Sequence, residues 1–356
     1  MLVLFHHFTL YSGAQPSTYM DKLYFKLAEA SWCGVDLFFV LSGFLITGIL
    51  LRTKSRRGYF RNFYARRTLR IFPLYYVTLI ILFGVGPLVM TPSPAFTTLL
   101  RDRAWYFTYL TNVLYAREGW PDFQAVGHLW SLAVEEQFYL VWPLVVWVSR
   151  RRTLVLICLG MIVLSPMLRV WLADQDQRVA AYVMMPARMD ALGVGALLAV
   201  LSTEKWIRVR LSKYALVPAV PALTWIVAVT LHTRSLNAEM FDVVTFTLSC
   251  VALLFGALLA SVTMAEPTSF IHRIFTGRLL TFLGRYSYGL YLFHVPLLFL
   301  IMPKVAPATS LQPMYGSVLP GVLLFTVIGT GLSILLAVAS WSLLEDPFLS
   351  LKRYFA

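Results

Sequence analysis

The chain has 356 residues and is unusually apolar: 59% of its residues are hydrophobic, 13% are charged, and its mean hydropathy is +0.72. Soluble domains contain roughly 45–50% apolar and about 25% charged residues, so this composition excludes an ordinary soluble protein and requires lipid as a solvent. The formal net charge of +13 would indicate nucleic-acid binding only if the basic residues formed one face of a soluble domain. They lie instead in short segments between apolar runs, so we predict no nucleic-acid partner.

A helix needs about 20 apolar residues to cross the hydrocarbon of a bilayer, and several runs approach this length. The first ten residues, MLVLFHHFTL, are too short to cross, and we interpret them as the outer half of a first helix that is truncated at its start. The apolar runs that follow are, in chain order, residues 35–51, 71–90, 129–148, 154–172, 215–231, 241–262, 286–302 and 318–344.

Basic residues are divided unevenly between the segments that separate these runs. Residues 52–70, 150–152, 205–213, 273–285 and 352–353 hold twenty of the 30 Lys and Arg residues, and the alternate loops hold eight. Cytoplasmic loops of membrane proteins are enriched in Lys and Arg, so we predict that the first set and both termini are cytoplasmic.

If residues 52–70 and 150–152 are both cytoplasmic, the chain between them must cross the membrane twice, and the runs 71–90 and 129–148 supply both crossings. Residues 96–116, which carry Arg101, Asp102 and Arg103, then cannot be a third span. This stretch is predicted to be an interfacial or re-entrant segment on the outer side rather than a span. The predicted fold is therefore an all-α bundle of about ten transmembrane helices in the plasma (inner) membrane, with residues 1–356 forming one domain.

Polar residues at membrane depth are costly, so they are candidates for function. His6 and His7 near the start offer an imidazole that could serve as the general base for an alcohol nucleophile, although adjacent histidines also suit the headgroup layer. Asp36 lies where a helix would begin, and a first-turn carboxylate explains it equally well. Ser42 and Gly43 match a close-packing point between helices.

A second candidate is the basic run that leads into the apolar residues 71–90. Arg67 and Arg70 are three residues apart, so at helical pitch they share one face and form a fork suited to phosphate or diphosphate. Cytoplasmic charge enrichment alone would explain the number of these arginines but not their placement against a span.

Glu135 and Glu136 are adjacent carboxylates within an otherwise apolar helix. Such groups need a solvated cavity or charged partners, and either a functional cavity or pairing with Arg169 or Arg188 would meet that need. His294 also lies within a span, where a packing histidine with satisfied hydrogen bonds is the common alternative to a functional one.

The three cysteines, Cys33, Cys158 and Cys250, show no paired spacing. They predict neither a disulfide framework nor a metal site, and we expect no bound cofactor.

Seven segments, in the same order and across nearly the whole chain, resemble the integral-membrane acyltransferase family 3, the bacterial O-acyltransferases of surface glycans and some secondary metabolites. They are MLVLFHHF, GVDLFFVLSGFLIT, RRTLRIFPLYY, HLWSLAVEEQFYLVWP, RMDALGVGALLA, YSYGLYLFHVP and LEDP. Each segment alone is a weak signal, whereas the ordered set is specific.

The resemblance implies a ten-helix fold, a cytoplasmic acyl-CoA co-substrate, expected to be acetyl-CoA, and a hydroxyl acceptor on a surface glycan or a small molecule. His6 matches the family's first-helix histidine because it directly follows the apolar run, which makes His7 incidental. Arg67 and Arg70 match the family's paired arginines, and Glu135 matches its glutamate. The family's first-helix arginine would precede Met1, so we expect an incomplete start.

The predicted mechanism places the donor phosphates on Arg67 and Arg70. His6, oriented or charge-paired by Glu135 or Asp36, deprotonates the acceptor hydroxyl as it attacks the thioester. An acyl-histidine intermediate is an open alternative. The remaining predicted substrate-binding residues are Glu136, Tyr139, Arg188 and His294.

Two other functions use the same residues. In a proton-coupled secondary transporter, Glu135, Glu136 and His294 would carry protons. A glycan flippase is the third class. The sequence shows no paired broken helices or internal duplication to favour a transporter, and consumption of acyl-CoA would separate the enzyme from both.

Overall fold

The fold is given by a computed structural model, which describes residues 1–204, 206–207, 210, 214–266, 268–307, 313–314 and 316–355. Within these residues the regular structure is helical and no β-strand occurs. The α-helices are α1 (Leu2–Leu10), α2 (Tyr19–Ala30), α3 (Gly34–Thr53), α4 (Tyr59–Ile80), α5 (Gly86–Val89), α6 (Pro94–Arg101), α7 (Arg103–Phe107), α8 (Thr111–Glu118), α9 (Leu129–Val148), α10 (Arg151–Asp174), α11 (Arg178–Val183), α12 (Met189–Leu201), α13 (Ala219–Thr233), α14 (Leu248–Met264), α15 (Phe270–Phe275), α16 (Arg278–Pro296), α17 (Met302–Val305), α18 (Leu319–Ser340) and α19 (Asp346–Ser350).

Six continuous helical stretches of the described chain are long and apolar enough to cross a membrane, which confirms the predicted polytopic all-α class. They are Tyr19–Thr53, Tyr59–Val89, Arg151–Asp174, Val243–Met264, Arg278–Val305 and Leu319–Phe355. Helix α9 has the predicted bounds, but Glu135, Glu136 and Gln137 lower its apolarity. The total of about ten spans stays a prediction, and Lys205, Arg208 and Lys213 of the predicted cytoplasmic segment 205–213 lie outside the described residues.

Four of the long stretches contain a widened π-helical turn, at Ile81–Val85, Val243–Thr247, Leu297–Ile301 and Trp341–Glu345. All but the second end two residues before a proline, namely Pro87, Pro303 and Pro347. Proline has no N–H to donate and its ring displaces the carbonyl one turn earlier, so the helix accommodates it by widening. The LEDP segment thereby forms the end of a π turn.

Residues 96–116, which we predicted not to cross the membrane, are divided among three short helices. Helices α6, α7 and α8 have eight, five and eight residues, and Tyr109 between the last two has a positive φ of 54°. None of them is long enough to span. The hydroxyls of Tyr75 and Tyr76 on α4 donate to the carbonyls of Tyr106 (2.8 Å) and Phe107 (3.1 Å), which fixes this segment against α4.

The chain divides into two compact units, each assembled from separate stretches. The first unit contains Met1–Ser31, Gly58–Leu132 and Gly284–Ala356, and the second contains Trp32–Arg57 and Ala133–Leu283. The assignment of one domain to residues 1–356 stays a prediction.

Within the second unit, α3 and α12 cross at two glycines. A Cβ atom at Gly43 would collide with the backbone of Leu192, and a Cβ at Gly195 would collide with the backbone of Val40. Small residues let membrane helices approach this closely, so the close-packing interpretation of Gly43 is confirmed.

Candidate active site

A group of three imidazoles forms in the first unit, where α1 meets α16. Nε2 of His294 lies 3.3 Å from Nδ1 of His7, and their ring centroids are 5.0 Å apart. The ring of His128, just before α9, lies 5.3 Å from that of His294. His294 and His128 are buried and His7 is half-buried.

Hydrogen bonds to carbonyl groups assign the protons of this group. Nδ1 of His294 lies 2.6 Å from the carbonyl oxygen of Tyr291, which can only accept, so Nδ1 carries the proton and Nε2 carries a lone pair. Nδ1 of His7 lies 2.9 Å from the carbonyl oxygen of Val3 and therefore also donates, towards both Val3 and His294. Nε2 of His7 is thus left with a lone pair that can accept a proton.

His6, the predicted base, points to a different neighbour. Its Nδ1 lies 2.9 Å from the carbonyl oxygen of Ala28 on α2, so it donates there and its Nε2 also carries a lone pair. The two adjacent histidines therefore diverge, His6 towards α2 and His7 towards α16. This outcome leaves the role of His6 a prediction.

No role was predicted for His128, Ser131 or Tyr291. The Tyr291 hydroxyl donates to the carbonyl of His128 (2.9 Å) and is hydrogen-bonded to the Ser131 hydroxyl. Nε2 of His128 lies 3.2 Å from the carbonyl of Leu292, while its buried Nδ1 has no hydrogen-bond partner among the described residues. The available signal was the placement of His128 and Ser131 at the start of an apolar helix; nothing local pointed to Tyr291.

Four cations gather where α4 meets the end of the chain, also in the first unit. Arg66, Arg67 and Arg70 are close enough to Lys352 for their positive charges to repel its ammonium group. Arg66 donates to the carbonyl of Phe355 (2.7 Å). Like charges held together in this way favour a bound anion. The phosphate fork of Arg67 and Arg70 stays a prediction.

Arg70 is held in place by three groups. Its guanidinium lies 3.6 Å from the carboxylate of Glu345, over the ring of Trp341 at 5.0 Å, and 3.4 Å from the carbonyl of Arg285. Glu345 is almost fully buried at the end of the π turn before Pro347. The LEDP segment thus supplies the acid that orients Arg70.

In the second unit, Glu135 on α9 accepts a hydrogen bond from the hydroxyl of Ser42 on α3. The same hydroxyl lies 2.9 Å from the hydroxyl of Tyr139, and one turn further Trp142 donates to Thr47 at 2.8 Å. Glu135, Ser42 and Tyr139 are all buried. The predicted residues Glu135 and Tyr139 are therefore brought together, with Ser42 as their shared partner.

Asp36 and Arg188 form a buried ion pair in the second unit. Nη2 of Arg188 donates to Oδ1 of Asp36 at 2.6 Å, and the side chains are 0% and 1% exposed. The guanidinium also lies over the rings of Phe39 (5.5 Å) and Tyr182 (5.0 Å). Both residues were predicted to act at the site, and each supplies the other's counter-charge.

Arg169 forms a second buried ion pair in this unit. It donates to the carboxylate of Asp190 (2.7 Å), to the Ser249 hydroxyl (2.6 Å) and to the carbonyls of Ala187 and Thr245. Glu135 and Glu136 were weighed as partners for Arg169 or Arg188, and the ion pairs seen are instead to Asp190 and Asp36.

The predicted site residues divide between the units. His6, His294, Arg67 and Arg70 belong to the first, and Asp36, Glu135, Glu136, Tyr139 and Arg188 belong to the second. The predicted cooperation of His6 with Glu135 or Asp36 therefore stays a prediction. Within the described residues no group of three or more His, Cys, Asp or Glu side chains could hold a metal ion.

Residues 1–341 match the model of a family described as the acyltransferase domain. The polytopic helical fold, the first-helix histidines and this match agree, and the chain belongs to this acyltransferase family. This confirms the family that the ordered segments indicated.

Three curated relatives from bacteria match most of the chain. Peptidoglycan O-acetyltransferase OatA of Listeria monocytogenes is 30% identical over 296 residues, which are 79% of this chain and 47% of the relative. YrhL of Bacillus subtilis, named as a candidate peptidoglycan O-acetyltransferase, is 32% identical over 79% of this chain and 46% of its own. A candidate O-acetyltransferase of Staphylococcus aureus, SACOL0978, is 27% identical over 88% and 52%. The chain spans about half the length of these relatives, and no solved structure matches it.

Proposed function

We propose that this chain is a membrane O-acyltransferase that transfers an acetyl group from acetyl-CoA to a hydroxyl of a surface glycan. Family membership and relatives named as O-acetyltransferases support this activity. The observation that carries the proposal is the first-helix imidazole of His7, whose Nδ1 proton is held by Val3 and His294 while Nε2 keeps its lone pair. A small-molecule hydroxyl is the alternative acceptor.

The proposed reaction moves one proton from the acceptor hydroxyl to the base and then to the leaving thiolate. Nε2 of the base takes the proton from the acceptor hydroxyl as the oxygen attacks the thioester carbonyl. The C–S bond then breaks, and the leaving thiolate takes the same proton from Nε2, which returns the base to its neutral form. His294 accepts a hydrogen bond from Nδ1 of His7, and this bond strengthens when His7 becomes positively charged. His6 also keeps a lone pair on Nε2, so only the contact with His294 distinguishes His7 from it. We propose His7 as the base on that contact, whereas the family resemblance favours His6.

The donor phosphates are proposed to bind Arg67 and Arg70, with Lys352 adding charge. The ion pair to Glu345 and the ring of Trp341 fix the Arg70 guanidinium before the donor arrives, which reduces the entropy lost on binding. The predicted roles of Glu135 and Asp36 in orienting the base are retained as proposals, as is substrate contact by Glu136, Tyr139 and Arg188.

The proposed activity is tested by incubating the purified chain with acetyl-CoA and a peptidoglycan fragment. We expect release of free thiol together with a mass increase of one acetyl group on the fragment. A transporter or flippase would release no thiol, so thiol release would exclude those classes. Unchanged acetyl-CoA would reject acetyl-CoA as the donor.

Replacing Arg67 with alanine should raise the KM for acetyl-CoA by about 10–100-fold, since a charge-assisted phosphate contact contributes about 1.5–3 kcal/mol. Steady-state kinetics at varied donor concentration would measure this change. Arg67→Lys should recover only part of the affinity because the planar fork is lost.

Arg61→Ala is the matched control for this experiment. Arg61 is an exposed arginine on the same helix, where it contacts its neighbour Asn62 (3.4 Å). Equal donor KM values for Arg67→Ala, Arg61→Ala and the parent protein would contradict donor binding. Arg67 and Arg70 would then only mark the cytoplasmic side of the membrane.

The proposed orientation places residues 52–70 in the cytoplasm and residue 237 outside. Ser55 and Asn237 are both exposed side chains, so the membrane rather than burial decides their accessibility. In a background without native cysteines, a membrane-impermeant maleimide added to intact cells should label Asn237→Cys and not Ser55→Cys. If only Ser55→Cys were labelled, the orientation would be the opposite of the proposed one, and the donor site would lie outside the cell.

A further inference from the structure

A cavity of about 130 Å³ lies in the first unit, within the segment of chain from Ala95 to Phe123. An engineered cavity of about 150 Å³ is known to hold benzene, so this slightly smaller volume can take up one face of a sugar ring but does not enclose the whole ring. The cavity is formed by the three short helices α6 to α8 and the turn that follows them. It involves none of the histidines or arginines described above.

Two buried tyrosines form the floor of this cavity. The hydroxyls of Tyr106 and Tyr115 are 3.3 Å apart, and Tyr115 donates to the carbonyl of Val126 at 3.1 Å. The backbone of Tyr106 is held by the hydroxyl of Tyr75. Burial raises the pKa of Tyr106 to about 12, so its phenol stays neutral. The floor is therefore fixed and uncharged.

Trp120 and Phe123 supply the aromatic wall. The Trp120 ring packs 5.9 Å from Tyr115, and the Phe123 ring packs 5.4 Å from Phe96. Gly119, which ends α8, has a φ of 87°, a conformation that disfavours any residue with a side chain. The turn that presents Trp120 to the cavity thus depends on glycine.

Three carboxylates, Asp102, Glu118 and Asp122, lie at the cavity. Asp102 accepts two hydrogen bonds from Arg101, at 2.9 and 3.0 Å, and the same guanidinium lies 3.8 Å from Glu118. Asp122 is exposed and has no ion pair within the part of the chain that the structure describes. Arg101 offsets much of the negative charge, while the carboxylates keep lone pairs that can accept further hydrogen bonds.

We propose that this cavity binds one pyranose ring of the glycan acceptor, with the apolar C–H face of the sugar against Trp120 and its hydroxyls donating to Asp122 and Glu118. Aromatic walls with a few fixed polar groups are the usual composition of a ligand pocket. A quaternary ammonium group would also suit aromatic rings. The guanidinium of Arg101, which pairs with the lining residues Asp102 and Glu118, disfavours that cation, whereas it does not disfavour a neutral sugar.

This inference rests on the proposed function only for the identity of the acceptor, so binding is measured without donor. The purified chain in detergent is titrated with a soluble β-1,4-linked N-acetylglucosamine tetramer, and binding is followed by calorimetry and by saturation transfer from protein to sugar protons. Trp120→Ala should raise the Kd about tenfold or more, because a central aromatic side chain dominates such sites. Asp122→Asn should raise it less.

Trp105→Ala is the matched control, since Trp105 lies in the same segment, contacts Arg117 at 5.9 Å and does not line the cavity. It should bind the tetramer as the parent protein does. No binding by the parent protein, or equal Kd values for the two tryptophan variants, would overturn the sugar site. Displacement of the tetramer by tetramethylammonium would show that the cavity binds a cation, which would also contradict the sugar site.

The same proteins separate this inference from the proposed function. If the parent protein binds the tetramer and Trp120→Ala does not, the sugar site stands even when acetyl-CoA is not consumed. If acetyl transfer occurs with the same acceptor KM in Trp120→Ala and the parent protein, the function stands and the sugar site fails.

Discussion

Replacing His7 with alanine should lower turnover by roughly 10²–10⁴-fold without unfolding the protein, the usual contribution of a general base. The reason is the contact of His7 with His294, whose Nε2 lies 3.3 Å from Nδ1 of His7 and can stabilise the protonated ring, a contact that His6 lacks. Initial rates of acetyl-CoA consumption in the intact protein, with circular dichroism to verify the fold, would measure the effect. His294→Asn should impair turnover less and shift its pH profile, because His294 positions His7 rather than touching substrate.

His6→Ala distinguishes the two assignments. If the geometric assignment holds, this variant keeps most of its turnover, since His6 donates to Ala28 on α2 and not to His294. Loss of turnover in His6→Ala with a near-normal His7→Ala would support the assignment by resemblance and make the His7–His294 contact structural. If neither matters and Glu135→Gln is inactive, the base is a carboxylate.

The second large effect is expected from the buried ion pair of the second unit. Asp36→Ala leaves the guanidinium of Arg188 without its carboxylate in an environment where both side chains are almost fully buried. Breaking such a pair typically costs about 3–5 kcal/mol of folding free energy. A large drop in the thermal unfolding midpoint in detergent would show this cost.

The double variant Asp36→Leu with Arg188→Met separates folding from catalysis, because it removes both charges at once and should regain much of the stability. A stable double variant with normal turnover would show that Asp36 has no part in catalysis, whereas a stable but inactive one would support the predicted role. Glu204→Ala is the control: its pair with Arg151 (3.2 Å) is 43% exposed on both sides and should change stability by no more than about 1 kcal/mol.

Much of the fold was predictable because the relevant signals are local. The lengths of the apolar runs gave the membrane-spanning class, and the charges at Arg101, Asp102 and Arg103 correctly excluded a single span across residues 96–116. Gly43 was recognisable as a close-packing point from its place within an apolar helix. These inferences need only composition and helical pitch.

The partners of the polar residues were harder to predict from the sequence. Helical pitch separates His6 from His7 by about 100° but does not reveal which side faces another helix. Glu345 and Arg70 pair across 275 positions, and nothing local to LEDP indicates its partner. For the same reason, the sequence suggested the glutamates of α9 as partners of Arg169 or Arg188. In the structure Arg169 pairs with Asp190 and Arg188 pairs with Asp36.

The sequence by itself determined the all-α membrane class and the family, because apolar length and ordered motifs are properties of consecutive residues. Only the tertiary structure decided that His7 meets His294, that Asp36 neutralises Arg188 and that residues 95–123 enclose a cavity. A buried polar group must find its partner in whichever helix packs against it, and that neighbour is set by the packing of the chain rather than by the residues beside it.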